Sequence, residues 1–395
     1  MIYLDNGATT FPKPEVVYQA MDIFARTGAV NAGRGAYAAA RAADQMIKNV
    51  RTGLISLLDA REQAQVVLTP SVTIALNQII YGQAWTEKSI AYVSPYEHNS
   101  VLRPLDVLSK KIGFQVLELP LAEDLSIDLA KTAAMFEENP PSFVAVTAVS
   151  NVTGYILPHR EIFRLARRYG AFNLLDGSQA VGLIRLPFAQ TMADAICFAG
   201  HKTLYGPFGI AGFLIKNSAK LQVTLAGGTG TKSEDLAMPT SLPGSMEAGS
   251  KDTVAIAGLE AALKWLPSVK PLEHECAMVA HFIEEAGKID GVELYCAPGG
   301  LQNQAGVVSF GVRGFKAIEV AAILDNKYDI AVRAGHHCAA LIHQHLGSNK
   351  YAGTVRVSPG YFNTMEDIEV LLIALRNLDR SQLEGVADDI LRGAC

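Results

Sequence analysis

The sequence predicts an α/β fold with a large, mostly parallel sheet domain and a smaller α+β domain. Up to about residue 255, short apolar runs alternate with helical patterns, which is typical of a parallel sheet with helices on its faces. Beyond that point the apolar runs lie farther apart. The chain has 395 residues, which is long enough for two or three domains. We therefore expect a large domain over 15–255 and a small domain formed by 1–14 and 256–395.

Seven apolar runs predict the strands of the large sheet. They are rich in Val, Ile, Phe and Ala without strict alternation, a pattern that suits strands buried on both faces. In chain order they cover 65–69, 89–94, 114–119, 142–150, 171–176, 195–200 and 210–216.

Helical patterns accompany these runs, with apolar residues recurring every three or four positions. Four such segments cover 15–26, 41–58, 71–82 and 160–170. Gly82 and Gly170 are suitable helix ends.

The second part of the chain contains longer helical segments and more widely spaced strands. Predicted helices cover 253–266, 274–289 and 365–378, and predicted strands cover 292–296, 306–312, 329–335 and 354–358. Before them, 227–252 is predicted to form a long loop, and a loop of that length in a compact protein is usually functional or mobile.

Composition excludes several classes of protein. Lys and Arg number 34 against 39 Asp and Glu, which argues against a general nucleic-acid binder. The sequence has no apolar run of about 18 residues, so no membrane span is expected, and the first residues do not resemble a secretory signal. The five cysteines are odd in number and widely spaced, which argues against a disulfide framework. We therefore expect a cytoplasmic protein with free thiols.

Polar side chains follow several predicted strands at the point where each strand ends. Lys202 follows one strand, and Asp176 ends the strand before it. The carboxyl ends of parallel strands open into one crevice, and a lysine imine with an aspartate facing a pyridinium nitrogen is what pyridoxal phosphate requires. Gln179 is then placed to bond the phenolic oxygen of that cofactor, while His98 and Asn151 belong to the same set of strand ends.

Each of these residues also has a simpler interpretation. Without the other residues, a lysine such as Lys202 is more often a solvated surface residue than a catalytic one. A single histidine such as His98 is likewise more often structural than cofactor-binding. The turn before 71–82 offers Ser71, Thr73 and backbone N–H groups to a phosphate, but the same residues also suit an ordinary helix N-cap.

Nearly the whole sequence resembles the class-V aminotransferase superfamily, specifically its cysteine desulfurase and selenocysteine lyase branch. The motifs that carry the resemblance are YLDNGATT (3–10), NAGRGAY (31–37), YEHNS (96–100), SNVTG (150–154), DGSQA (176–180), GHKTLYGPFG (200–209), EAGS (247–250), RAGHHCA (333–339) and VRVSPGYFNT (355–364). The resemblance implies a fold-type I pyridoxal-phosphate enzyme, usually a homodimer with active sites at the subunit interface. The short RAGHHCA segment resembles the second group of this branch.

The resemblance also implies a role for individual residues. Lys202 matches the lysine that binds the cofactor as an imine. The other cofactor contacts implied are Asp176 at the ring nitrogen, Gln179 at the phenolic oxygen, His98 stacked on the ring, Thr73 and His201 at the phosphate, and Ser250 at the phosphate of the neighbouring subunit. The substrate contacts implied are Asn151 and Arg356 at the carboxylate, Arg333 nearby, and Cys338 as the nucleophile that accepts sulfur.

Three positions depart from the family pattern and place the chain in a divergent subgroup. Ala199 stands where relatives commonly carry a phosphate-binding Ser. Ser250 replaces the usual Thr, and Ile74 stands where relatives often have an acidic residue.

The resemblance implies conversion of L-cysteine to L-alanine with a persulfide on Cys338, from which a small acceptor protein takes the sulfur. Alternatives are a selenocysteine lyase acting on L-selenocysteine, another class-V reaction in which Cys338 is idle, or a cofactor-binding sensor without turnover. The histidines around Cys338 also allow a metal site, although no second cysteine or nearby carboxylate completes four ligands. A structural loop thiol is the remaining alternative for Cys338, and a sulfur relay is a minor alternative for Cys395.

Overall fold

The computed structural model describes residues 1–33, 35–230 and 234–384. The strands within these ranges are β1 (Ile2–Tyr3), β2 (Ala64–Thr69), β3 (Ile90–Val93), β4 (Gln115–Glu118), β5 (Phe143–Thr147), β6 (Phe172–Asp176), β7 (Ala195–Ala199), β8 (Ala211–Lys216), β9 (Val292–Tyr295), β10 (Val308–Val312), β11 (Ile330–Ala331), β12 (Arg333–Gly335) and β13 (Thr354–Val357). The α-helices are α1 (Glu15–Thr27), α2 (Ala38–Leu57), α3 (Val72–Tyr81), α4 (Asn99–Ile112), α5 (Leu129–Glu138), α6 (His159–Ala166), α7 (Phe188–Thr191), α8 (Thr253–Trp265), α9 (Pro271–Ala286), α10 (Ala317–Tyr328), α11 (Ala340–His345) and α12 (Met365–Arg376).

The seven predicted strands of the first part of the chain form one sheet, in the order β2-β8-β7-β6-β5-β3-β4. Only β8 runs antiparallel to its two neighbours in this sheet, so the predicted α/β fold with a mostly parallel sheet is confirmed. The run 142–150 forms a shorter strand than predicted, because β5 ends at Thr147. The Thr147 hydroxyl donates to the Val149 carbonyl at 3.0 Å and closes a turn there.

Residues of the sheet alternate between two apolar cores. In β2, Val66 and Leu68 pack into one hydrophobic cluster and Val67 packs into another, because successive side chains of a strand point to opposite faces. Helices α3 and α4 contribute to the second cluster, and α2, α6 and α8 contribute to the first. Burial on both faces explains why these strands lack alternation in the sequence.

A second sheet has the antiparallel order β12-β13-β10-β9. Its hydrophobic cluster includes fully buried residues of α9, α10 and α12 together with Leu4 from the N-terminal segment. Strand β1 pairs in parallel with β11, which brings the start of the chain against this smaller sheet. Helix α8 packs against α1 and α2. The division into 15–255 and 1–14 plus 256–395 stays a prediction.

The single strand predicted over 329–335 is wrong. Residues 330–331 pair with β1, whereas residues 333–335 pair with β13 in the other sheet. The chain therefore changes partners at Val332. This change depends on pairing with β1 and β13, which are distant in sequence. The spacing of apolar residues within 329–335 contains no information about those partners. None of the described helices is long and apolar enough to span a membrane.

Candidate active site

A cavity of about 350 Å³ lies at the carboxyl edge of the large sheet. Ten of the eleven residues predicted for the site line it: Thr73, His98, Asn151, Asp176, Gln179, His201, Lys202, Arg333, Cys338 and Arg356. The eleventh, Ser250, lies elsewhere. Thr147 and Asp176 are in register on β5 and β6, so neighbouring strands end at the same edge and bring their following loops together.

Lys202 lies in the loop that follows β7. The backbone N–H of Gly206 donates to the Gly200 carbonyl at 2.8 Å and closes this loop. A Cβ on Gly200 would lie 2.5 Å from the Ile210 carbonyl oxygen, so only glycine fits beside β8 at this point. Burial lowers the pKa of the Lys202 amine to about 8, although the nearby Asp176 carboxylate opposes the shift. The amine is therefore far easier to deprotonate than an ordinary lysine.

Asp176 ends β6 and lies at the base of the cavity, 4% exposed. Its Oδ1 accepts hydrogen bonds from the Ser178 backbone N–H at 2.9 Å and from the Ser178 hydroxyl at 2.5 Å. These two bonds fix the direction of the carboxylate. Gln179 in the same turn donates its amide Nε2 to the Gly7 carbonyl at 2.7 Å.

His98 is the N-cap of α4. Its Nδ1 accepts from the Ser100 backbone N–H at 3.0 Å, which orients the imidazole over the cavity wall. Burial, reinforced by the Lys202 charge, lowers the pKa of His98 to about 4. The imidazole is therefore neutral near pH 7, which suits stacking on a flat ligand.

The N-terminus of α3 and His201 form one end of the cavity. Ser71 caps the helix by accepting from the Ile74 backbone N–H at 3.3 Å, and the Thr73 hydroxyl lies 2.9 Å from that of Ser100. The His201 Nδ1 atom is buried and has no hydrogen-bond partner among the described residues. Ala199 is buried at the end of β7 and adds no hydroxyl here.

Two arginines form the opposite end. Arg356, on β13, is 2% exposed and donates from Nη1 to the Asn151 carbonyl at 3.1 Å. Its Nη2 lies 2.6 Å from Asp5 Oδ1, and Arg333 Nε lies 3.1 Å from Asp5 Oδ2. The Asn151 amide donates to the His337 carbonyl at 2.7 Å. This end therefore suits a ligand carboxylate.

Cys338 is exposed on a loop that reaches the cavity. It has a φ of 55°, and His337 before it has a φ of 50°, so two consecutive residues other than glycine adopt the left-handed region. The Asn99 backbone N–H donates to the Cys338 carbonyl at 2.6 Å and holds this loop against the start of α4.

The other described cysteines lie in different surroundings. Cys197 is fully buried in β7, and burial raises its pKa well above the ordinary value. Burial also raises the pKa of Cys276 and of Cys296 to about 11. Cys395 lies outside the described residues.

Three of the four histidines near Cys338 bond to hydroxyl or amide groups, and the fourth, His345, lies 3.3 Å from the Glu118 carboxylate. His343 Nδ1 lies 2.7 Å from the Ser348 hydroxyl, and His337 Nε2 lies 2.9 Å from the Thr354 hydroxyl. Among the described residues, no group of three or more His, Cys, Asp or Glu side chains is arranged to hold a metal ion.

Ser250 lines a separate cavity of about 260 Å³, together with residues of β2, α3 and the segment 246–252. Within one chain it therefore does not join the other ten predicted residues. Its predicted role requires a second subunit.

Three residues of this region were missed by the sequence prediction. Asp5 joins the two arginines, and Lys13 Nζ donates to the His201 carbonyl at 2.7 Å. Glu97, fully buried beside the Thr147 backbone N–H, has its pKa raised to about 8 by burial. Asp5 and Glu97 lie within two of the motifs quoted above, YLDNGATT and YEHNS, and this position could have marked them as site residues. Lys13 lies in none of the quoted motifs, so nothing in the sequence indicated its role.

Comparisons with known proteins show which family the chain belongs to. Residues 2–371 match the model of the aminotransferase class-V family. A probable cysteine desulfurase from Methanothermobacter thermautotrophicus is 31% identical over 94% of this chain and 92% of its own length. Another from Xylella fastidiosa is 32% identical over 95% of this chain and 90% of its own length.

Solved structures of cysteine desulfurases are also similar to this chain over nearly its whole length. The apo structure of a cysteine desulfurase from Thermococcus onnurineus has a TM-score of 0.88 and 28% identity, covering 96% of this chain and 95% of the other. A cysteine desulfurase from Escherichia coli, in an S-sulfonic acid form, has a TM-score of 0.82 and 26% identity, covering 97% and 94%. On the evidence of motifs, fold and near full-length similarity, the chain belongs to the class-V aminotransferase family, in its cysteine desulfurase branch.

Proposed function

We propose that the protein is a pyridoxal-phosphate-dependent cysteine desulfurase that converts L-cysteine to L-alanine and receives the sulfur on Cys338. The observation that carries the proposal is that Lys202, Asp176, His98 and Cys338 line one cavity. The names of the relatives and structural neighbours support the same activity.

The residues present fit pyridoxal phosphate. The unpartnered Nδ1 of His201 and the N–H groups that begin α3 supply donors for a phosphate at one end. Lys202 supplies an amine with a lowered pKa, and Asp176 supplies a fixed carboxylate for the pyridinium nitrogen. His98 supplies a neutral ring for stacking. When bound, the cofactor would act as an electron sink for the substrate Cα.

Lys202 would move the Cα proton. A lysine amine with a pKa of about 8 is partly neutral at physiological pH, so it accepts a proton and returns it later. Arg356 and Asn151, with Arg333 beside them, would hold the substrate carboxylate and so orient the Cα–H bond toward Lys202.

Cys338 would accept the sulfur as a thiolate nucleophile. Its Sγ attacks the substrate sulfur and forms an S–S bond. The Cβ–S bond breaks, and its electron pair stays with the three-carbon fragment, which takes up protons and leaves as alanine. The exposure of Cys338 suits delivery of the persulfide to a small acceptor protein, and a reducing cytoplasm would keep the thiol free.

An absorbance spectrum followed by addition of L-cysteine tests this function. We expect a cofactor band in the purified protein, and alanine formation matched by sulfide or persulfide. Lys202→Ala should lose both. A colourless protein that cannot be reconstituted, with Lys202→Ala behaving identically, would contradict the proposal. A cofactor band without alanine formation would indicate a binding protein without turnover.

A further inference from the structure

A lysine amine lies behind the end of the cavity that suits a phosphate. Lys13 Nζ donates to the Thr10 hydroxyl and to the His201 carbonyl, both at 2.7 Å. It also donates to the Thr9 hydroxyl at 3.4 Å. Thr9 and His201 line the cavity that contains Lys202. The Lys13 amine therefore contacts two residues of the cavity wall from the protein side.

This amine has no counter-charge among the described residues. Its three hydrogen-bond acceptors are hydroxyl and carbonyl oxygens, and no described carboxylate forms an ion pair with it. Glu15, two residues farther along the chain, is exposed and accepts from Gln19 instead. The titratable side chains around the amine, none of them a carboxylate, are those of Tyr3, Tyr18, His201 and Lys202.

Burial lowers the pKa of Lys13 from 10.5 to about 7. The amine is therefore only partly protonated near pH 7, whereas an ordinary exposed lysine is fully charged there. A buried amine that lacks an anionic partner gains a proton more readily when a negative charge arrives nearby. The position of Lys13 makes a ligand phosphate the anion that would do this.

The phosphate end of the cavity contains few other positive charges. Burial, reinforced by the charges of Lys202 and Lys13, lowers the pKa of His201 to about 3, so its imidazole is neutral. Both arginines of the cavity lie at the opposite end. Of the described residues, Lys202 is the only cation that lines the phosphate end, and the Asp176 carboxylate already acts on it. A phosphate monoester carries about 1.5 to 2 negative charges near pH 7, so a further cation is useful there.

We infer that Lys13 is a proton-linked counter-charge for the cofactor phosphate, taking up a proton from solvent when the phosphate binds and stabilising the bound dianion from behind His201. Lys13 does not touch the reacting atoms and is a positioning residue. The inference rests on the proposed function, because the phosphate belongs to the cofactor proposed there.

Magnitudes favour Lys13 over His201 as the group that takes up the proton. At the effective dielectric constant near protein surfaces, a dianion within about 10 Å increases the proton affinity of an amine tenfold or more. Such an increase is enough to protonate Lys13 near pH 7, because its pKa is already about 7. His201, with a pKa of about 3, would need a far larger increase.

Calorimetric titration of the full-length apoprotein with pyridoxal phosphate and with pyridoxal, in two buffers of different ionisation enthalpy, counts the protons taken up on binding. Both ligands carry the same ring and aldehyde, so the difference between them reports the phosphate. At about pH 8, where Lys13 is mostly neutral before binding, we expect pyridoxal phosphate to take up about one proton more than pyridoxal. The phosphate is already a dianion at this pH and takes up no proton itself.

Two variants of Lys13 separate its charge from its hydrogen bonds. Lys13→Met should abolish the difference in proton uptake, because no amine remains. Lys13→Arg should also abolish it, because a guanidinium stays protonated before and after binding. Lys48→Met, at an exposed position on α2, is the matched control and should retain the full difference.

The pH dependence of affinity gives a second measurement. Above about pH 7 the unliganded amine loses its proton first, so the affinity for pyridoxal phosphate relative to pyridoxal should fall by up to tenfold per pH unit. Lys13→Arg should show no such fall.

A difference in proton uptake that persists in Lys13→Met would assign the proton to His201 or another group and overturn the inference. Equal uptake for both ligands in the unmodified protein would overturn it as well. If Lys13→Met does not fold, Lys13→Arg decides the question, because a persistent difference in that variant has the same meaning. If the phosphate-linked uptake holds but L-cysteine gives no alanine, the proposed function fails and the inference stands.

Discussion

At the scale of single residues, the placement of Cys338 is the most demanding feature of the site. Two successive left-handed residues cost roughly 1–3 kcal/mol each, so surrounding contacts must hold them. The Asn99 N–H and the Asn151 amide bond to the carbonyls of these two residues. The thiol is thereby held at the cavity despite its exposure.

Cys338→Ala should abolish alanine formation from L-cysteine and retain activity on L-selenocysteine. The reason is that a sulfur atom must be accepted by a thiolate, whereas selenium leaves carbon more readily. Parallel rate measurements on the two amino acids check this. Cys276→Ala, which removes a thiol away from the cavity, is the control. Full desulfuration by Cys338→Ala would show that Cys338 is idle and would favour another class-V reaction.

Lys13→Met should weaken binding of pyridoxal phosphate by about tenfold, which corresponds to the loss of a buried hydrogen bond. Lys13 Nζ donates to the Thr10 hydroxyl and to the His201 carbonyl, both at 2.7 Å, and so holds the residue before Lys202. Fluorescence titration of the apoprotein measures the effect. Lys48→Met, at an exposed position on α2, should bind the cofactor normally. Unchanged affinity in Lys13→Met would contradict the assigned role.

The residues that line the cavity were easier to predict from the sequence than the residues that hold them in place through hydrogen bonds. Lys202, Asp176 and Asn151 were predictable because parallel strands end at one edge and because motifs mark them. Asp5 and Lys13 were not singled out, because their partners lie 328 and 188 residues away along the chain. Such partners depend on how the N-terminal segment crosses the cavity.

At the scale of elements, helix α9 places a buried carboxyl group beside Tyr205. Glu275 is 5% exposed, and its Oε1 accepts from the Tyr205 hydroxyl at 2.8 Å. Burial raises the pKa of Glu275 from 4.5 to about 8. The folded protein therefore keeps a proton that the unfolded chain has released between these values. The contribution of the protonated Glu275 carboxyl group to the free energy of unfolding is fully present below pH 4.5 and is lost as the pH rises through about 8.

Glu275→Gln should remove this pH dependence. Relative to the unmodified protein, its free energy of unfolding should rise by up to about 1.4 kcal/mol per pH unit between pH 5 and about 8. Urea denaturation at pH 5, 6.5 and about 8 measures the difference. Glu273→Gln on the exposed face of the same helix should show no such trend. A constant difference at all pH values would contradict a buried, protonated Glu275.

Element boundaries were predicted well where local signals act and poorly where pairing decides. Helix α3 follows its Ser71 cap and ends at Tyr81 with Gly82 as its C-cap, close to the predicted 71–82. Helix α9 begins at Pro271, three residues before the predicted start, because proline suits the first turn of a helix. The change of partner at Val332 had no local signal.

At the scale of the whole molecule, the predicted role of Ser250 as a phosphate contact of the neighbouring subunit would need two chains. Ser250 lines a cavity separate from the one that contains Lys202. We therefore propose a homodimer, with a mass in light scattering of twice 42.3 kDa.

A mixed dimer of Lys202→Ala and Ser250→Ala chains tests this arrangement. Ser250→Ala alone should weaken cofactor binding several-fold, because a phosphate donor is lost. The mixed dimer should contain one site with full affinity, since the Lys202→Ala chain supplies Ser250 to its partner. A monomeric protein, or a mixed dimer in which every remaining site is weak, would contradict the proposal.

The most direct test of the central claim is mass spectrometry of the protein after L-cysteine is added without an acceptor or reductant. We expect an additional sulfur atom on the peptide that contains Cys338, none on the peptides of Cys197, Cys276 and Cys296, and none anywhere in Lys202→Ala. Alanine formation while Cys338 stays unmodified, or sulfur carried only by another cysteine, would contradict it.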